Sequence, residues 1–245
     1  MSRPRLLDLF SGAGGAAMGY HRAGFEVVGV DIEPQPHYPF EFWRADALDV
    51  LRSRGTSTAF HFASGFDAIH ASPPCQAWSA LRHLHSTVHP ELIEPTRDLL
   101  ELAGLPYVIE NVPGSPLRAS VVLCGSSFGL DLRRHRHFEA NWMLLGPACA
   151  HGWQTPRFEV HDRRAKSLSR VVSVAGHATP PTRLKAVVSV HGSSGGKGGV
   201  AEWRRAMDID WMSRDELAQA IPPAYAEHIG HQLMQVVRAN ERAAA

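Results

Sequence analysis

The chain has 245 residues, of which 44% are hydrophobic and 20% charged, with a formal net charge of +1 at neutral pH. That length supports one sizeable core, or a core with a small appended lobe. No apolar run approaches the roughly 18 residues of a membrane span, the first residues do not read as a signal peptide, and three cysteines (Cys75, Cys124, Cys149) form no disulfide framework.

The small net charge hides an asymmetry. From Met1 to Gly125 there are 9 Lys/Arg against 13 Asp/Glu, whereas Leu132 to Arg205 carries 13 against 4, with six histidines besides. The basic stretch is either a solvated face or a surface for a polyanion. An odd number of thiols fits a reducing cytosol.

Arg5 to Phe10 reads as a buried strand, and Ser11-Gly12-Ala13-Gly14-Gly15 as a tight turn, because glycine enters positive φ cheaply. A helix is expected over Ala16–Ala23, stopped by Gly24, and a second strand over Phe25–Asp31. This is a βαβ unit. Gly12-x-Gly14-x-x-Ala17 fits a nucleotide-binding turn, with Asp31 placed about 20 residues on to accept from ribose hydroxyls. Phe42–Ala45 reads as a third strand. Asp46 after it is either the N-cap of a helix starting at Ala47 or an acceptor for the exocyclic amine of an adenine.

The apolar run Phe66–Ala71 predicts a buried strand that ends at Ser72-Pro73-Pro74-Cys75-Gln76. Two prolines fix the backbone there and forbid a helix start. Cys75 is then a nucleophile at a strand end or a small buried apolar residue. The loop Ala77–His89 carries His83, His85 and His89, without an evident carboxylate or cysteine partner for a metal. A helix over Glu91–Ala103 leads to a strand over Tyr107–Ile109, which places Glu110 at its end. Desolvation there would raise the carboxyl pKa and suit it to donate a proton; a surface-turn acid is the alternative.

Val121–Cys124 reads as a strand with Cys124 in the core. Arg134, Arg136 and Phe138 alternate, so on a strand they share one face. They need an anion or polar base between them, unless they protect an exposed edge. From Met143 to Gly199 the pattern loosens into a small β-rich insert. Cys149-Ala150-His151 offers two metal ligands where zinc needs four, so no metal site is expected. Ser213-Arg214-Asp215-Glu216 starts a capped helix, Pro222-Pro223 breaks it, and Ala224–Arg238 is a final amphipathic helix.

Four motifs stand in one order: Asp8-Leu9-Phe10-Ser11-Gly12-Ala13-Gly14-Gly15, Pro73-Pro74-Cys75-Gln76, Glu110-Asn111-Val112 and Arg134-His135-Arg136. Together they resemble the DNA cytosine-5 methyltransferases, and Ile221–Gly230 is similar to short phage-type members of that family. Two positions depart from it: Leu132 stands where the family has glutamine, and Pro223-Ala224-Tyr225 replaces a late asparagine-containing motif.

The resemblance implies an α/β, Rossmann-like fold binding S-adenosylmethionine, with the β-rich basic insert as a small target-recognition lobe. The implied division is a catalytic core over 1–142, a target-recognition region over 143–205 and returning helices over 206–245. It implies a cofactor site formed by Phe10, Ser11, Gly12, Gly14, Asp31, Ile32, Asp46 and Ala47, and a catalytic set of Cys75, Glu110, Arg134 and Arg136. The expected reaction is methyl transfer to carbon 5 of cytosine in double-stranded DNA, with the base flipped out, in a cytoplasmic, monomeric enzyme of a bacterium or its phage. Methyltransferases of exocyclic amines resemble the same Ser-Pro-Pro turn but follow it with an aromatic residue; here Cys75 follows, which points to ring-carbon chemistry. A transfer RNA methyltransferase or an inactive nucleic-acid-binding relative would keep the fold. A dehydrogenase built on the Gly12 turn would leave Cys75 and the arginines without a role.

Overall fold

In the computed structural model, the described residues are 2–53, 65–74, 91–156, 185–187 and 199–244. Five parallel strands form the centre: β1 (Arg5–Leu9), β2 (Glu26–Asp31), β3 (Glu41–Arg44), β4 (Ala68–Ala71) and β5 (Tyr107–Asn111). With β6 (Val121–Leu123) and β7 (Arg136–Ala140) they make a seven-stranded sheet ordered β3-β2-β1-β4-β5-β7-β6, in which β7 runs antiparallel to both β5 and β6.

The strands read as unbroken apolar runs because both sheet faces are covered. Leu6, Val27, Ala68 and Val108 point into one cluster, under α1 (Gly15–Arg22) and α6 (Pro223–Ala244). Their neighbours Leu7, Val28, Ile69 and Ile109 point into the other, under α2 (Ala47–Arg52) and α3 (Ile93–Ala103). Hence Asp8, His70 and Glu110, which keep the parity of Leu6, Ala68 and Val108, lie on the α1–α6 face.

α1 and α6 approach through small residues. A Cβ at Gly19 would meet the Pro223 carbonyl and come within 2.7 Å of Ala226 Cβ. Pro223, expected to break a helix, is instead the first residue of α6, where its missing N–H costs nothing. α4 (Val200–Met207) and α5 (Arg214–Gln219) build a third cluster, in which Trp203, Met207, Met212 and Leu217 enclose Ala13 and Leu132. Leu132 is thus a packing residue. The capping box predicted at Ser213 and Glu216 is present.

In the insert the described elements are β8 (Gln154–Pro156) and β9 (Lys185–Val187), which pair in parallel. α4 spans the expected boundary at 205/206. Among the described residues no helix is long and apolar enough to cross a membrane.

Candidate active site

Strand order reverses between β1 and β4, so the crevice beyond their carboxyl ends is where an open α/β sheet binds ligands. β1 runs into the glycine turn there. Phe10 takes φ 55, Gly12 φ 49 and Gly14 φ 84. Phe10 is the informative one, since a bulky residue at positive φ is strained and held by its surroundings. Ser11 N donates to the Val30 carbonyl at 3.1 Å. The Trp211 indole donates to the Ala13 carbonyl at 2.9 Å, tying the turn to the C-terminal region.

Asp31 ends β2 and accepts from Gly12 N at 2.9 Å and Glu33 N at 3.0 Å. It therefore shapes the turn as well as facing the crevice. Next to it Ile32 is 61% exposed, a large apolar side chain left open to solvent. Asp46 caps α2: its Oδ1 accepts from Leu48 N at 2.8 Å and Asp49 N at 3.1 Å. Both bonds fall on one oxygen, so the N-cap role leaves Oδ2 available. Ala47 is buried as the first residue of α2. The turn, Asp31, Ile32 and Asp46 line successive strand ends on one side of the reversal. A Cβ at Gly12 would meet no atom within 4 Å, so open space lies over the turn. These features fit a nucleoside-bearing cofactor: two carboxylates for hydroxyls and an amine, and an apolar platform between them.

On the other side stands Glu110. It lies within β5, not past its end as expected, and is 5% exposed. Burial raises its pKa, opposed by the Arg136 charge, a Ser72 hydrogen bond and Arg134. Arg136 Nε sits 3.1 Å from Glu110 Oε1, yet that oxygen has no aligned hydrogen bond. A buried acid with one oxygen unsatisfied is suited to a hydrogen-bonding ligand.

The two arginines do not share a strand face. Arg136 begins β7, while Arg134 precedes it and donates from Nη2 to the Ala218 carbonyl at 2.7 Å. The antiparallel register sets Glu110 opposite Phe138, so the strand itself delivers Arg136 to the acid. Arg134 instead links this edge to α5, and its own carbonyl accepts from the Tyr225 hydroxyl at 2.6 Å.

Four positioning residues escaped the sequence reading. Asn111 Nδ2 donates to the Pro73 carbonyl at 2.9 Å. Ser72 N donates to the Leu9 carbonyl at 3.1 Å, so the proline turn is fastened to both neighbouring strands. Behind it, Tyr20 Oη lies 3.0 Å from His70 Nδ1, and His70 Nε2 lies 2.9 Å from Ser72 Oγ. Desolvation lowers the His70 pKa to about 3, so the ring is neutral. The arrangement in which Tyr20 donates to His70, His70 to Ser72 and Ser72 to Glu110 gives each of the three donors an acceptor and leaves Glu110 Oε1 open. An apolar-looking segment with one histidine gives no signal of such a relay. Cys75, at the end of that turn, and the loop from Ala77 to His89 lie outside the described residues.

The expectation of no metal site needs correction in its premise. Cys149 and His151 do not stand alone: the fold brings Cys124 and His135 to them, and the four ligand atoms lie within 4.8 Å of one another. Sequence spacing hid this because β6, β7 and the following loop are joined only in three dimensions.

Residues 4–114 match the family described as C-5 cytosine-specific DNA methylase. Type II methyltransferase M.XorII of Xanthomonas oryzae is 32% identical over 124 residues, covering 46% of this chain and 29% of that protein. Type II methyltransferase M.FnuDI of Fusobacterium nucleatum is 28% identical over 120 residues, covering 45% and 33%. The aligned part is thus about a third of each relative. A protein described as a DNA modification methyltransferase encoded within a prophage (E. coli) shares the fold with TM-score 0.60 at 15% identity, covering 96% of this chain and 99% of that one. The S. pombe Dnmt2 methyltransferase does so with TM-score 0.54 at 13% identity, covering 96% and 99%. At such identities the likeness concerns the fold, a Rossmann-like α/β sheet. The matched stretch carries the glycine turn, the Pro73-Pro74-Cys75 motif and the Glu110 strand, and over residues 4–114 the chain is similar to the C-5 cytosine-specific DNA methylases.

Proposed function

We propose that this protein transfers a methyl group to carbon 5 of cytosine in double-stranded DNA, with S-adenosylmethionine as donor and Cys75 as covalent catalyst. The observation that carries the reading is Glu110, buried opposite the cofactor-side carboxylates, ion-paired to Arg136 and one hydrogen bond short.

The donor, when bound, supplies an electrophilic methyl group. Asp31 would hold its ribose hydroxyls, Asp46 Oδ2 its adenine amine and Ile32 the adenine face, while the turn through Phe10, Ser11, Gly12 and Gly14 leaves room for the methionine end.

Carbon 5 of cytosine is a poor nucleophile. The Cys75 thiolate adds to carbon 6, and the electron pair of the 5,6 double bond becomes available at carbon 5. Protonated Glu110 donates to ring nitrogen 3 and offsets the charge that develops there. General acid help of this kind contributes about 10²–10⁴-fold. Arg136 keeps Glu110 in place and offers its guanidinium to the base carbonyl. After transfer a base takes the carbon 5 proton, the pair reforms the double bond and the thiolate leaves. Such a pocket admits only a base turned out of the duplex. The basic stretch from Leu132 to Arg205 would grip phosphates.

The test is methyl incorporation from labelled S-adenosylmethionine into duplex DNA and transfer RNA side by side, with the product base identified by mass spectrometry. The reading expects 5-methylcytosine in the duplex, abolished by Cys75→Ala. Label in transfer RNA alone, or on an exocyclic amine, would overturn it.

A further inference from the structure

We propose that Cys124, His135, Cys149 and His151 bind one zinc ion, a closed structural site that clasps the root of the insert to the arginine segment.

The geometry carries this. Cys124 Sγ lies 3.3 Å from His151 Nε2, and Cys149 Sγ lies 3.4 Å from His135 Nε2. In a tetrahedral site with Zn–S of about 2.3 Å and Zn–N of about 2.0–2.1 Å, a sulfur–nitrogen edge is roughly 3.6 Å. Two of the six edges are thus close to the length such a site needs, and all four ligand atoms lie within 4.8 Å of one another. The two imidazole rings meet nearly edge to face, with centroids 5.3 Å apart and planes at 82°, so they are neighbours without stacking.

The donor chemistry agrees. Two thiolates and two imidazoles form a borderline-soft set that selects zinc. Without a metal these groups offer one another only weak hydrogen bonds to or from sulfur. A supporting layer is in place: the Ser126 hydroxyl donates to Cys124 Sγ at 3.3 Å and accepts from Ala150 N at 3.1 Å, and Arg133 Nη2 donates to the His151 carbonyl at 3.2 Å. Such contacts fix ligand orientation.

The position gives the site its purpose. Cys124 follows β6, His135 sits between Arg134 and Arg136, and Cys149 and His151 lead into β8. One ion would join the sheet edge, the arginine segment and the base of the insert. Zinc binding stands without the proposed reaction.

The test is metal analysis of the full chain, purified without chelator, by inductively coupled plasma mass spectrometry. One zinc per chain is expected, lost in Cys149→Ser and in His151→Asn. Both residues lie outside the apolar core, and circular dichroism of each variant checks that the fold persists. Cobalt substitution should give the absorption of a tetrahedral thiolate site, and that absorption should vanish in the same variants. Absence of zinc from the wild type, zinc unchanged in either variant, or a Cys124–Cys149 disulfide found by mass spectrometry of the unreduced protein would overturn the proposal. Each result is read without an activity assay, so it stands apart from the fate of the methyl-transfer reading.

Discussion

Asn111 reaches from the end of β5 and donates its side-chain N–H to the carbonyl of Pro73, at 2.9 Å in the protein interior. The residue next to the candidate acid thereby holds the proline pair that precedes the candidate nucleophile in sequence. Two strand ends become one rigid unit, which is what a two-residue mechanism needs.

Asn111→Ala breaks that link and leaves the Pro73 carbonyl buried without its donor, at a cost of about 1–3 kcal/mol in stability. Misplacement of a reacting group by about 1 Å costs on the order of 100-fold in rate, so we expect kcat to fall far more than substrate affinity. Equal kcat in variant and parent would separate Asn111 from the chemistry.

Burial raises the Glu110 pKa above the ordinary carboxylate value, against the pull of Arg136. Methyl transfer should therefore decline as pH rises through that raised pKa and the acid loses its proton. Glu110→Gln should slow the reaction at least about tenfold and remove the alkaline decline.

Asp8 is buried beside Asp31 and keeps a weak 3.4 Å contact from Tyr38. Burial pushes its pKa up to about 8. A raised carboxyl favours the folded state fully below the unfolded pKa of about 3.9, and that contribution is lost as pH rises toward 8. Melting temperature should fall between those limits, and Asp8→Asn should flatten the fall. An identical pH profile for variant and parent would show that Asp8 is not the titrating group.

Arg97 and Glu139 form a bidentate buried pair, at 2.6 and 2.8 Å, that fastens α3 to β7, the strand carrying Arg136. Arg97→Met leaves the buried Glu139 carboxylate without its counter-charge, with the Arg118 N–H still donating to it, and chemical denaturation should report a loss of up to about 3–5 kcal/mol. Gly19→Ala would press a Cβ against Ala226, and overpacking of about 1–3 kcal/mol should exceed its helix-propensity gain of about 1 kcal/mol.

The sheet was legible because its strands are buried on both faces and punctuated by glycine and proline. The Asp31, Asp46 and Glu110 placements followed from strand ends alone. Element edges shifted by a residue or two, which moved Glu110 inside β5 and Arg134 out of β7. The Tyr20–His70–Ser72 relay, the Asn111 tether and the Cys124–His135–Cys149–His151 cluster were illegible. Each joins residues far apart in sequence whose types are ordinary one by one. The packing of strands, helices and loops in three dimensions brings them together.

The central claim is a transient bond between Cys75 and carbon 6 of cytosine. Incubating the full chain with S-adenosylmethionine and duplex DNA carrying 5-fluorocytosine, then resolving products under denaturing conditions, tests it most directly. A stable protein–DNA adduct that maps to Cys75 and is absent from Cys75→Ala is the predicted result. Methylation of ordinary duplex without any trapped adduct on the fluorinated one would contradict the account.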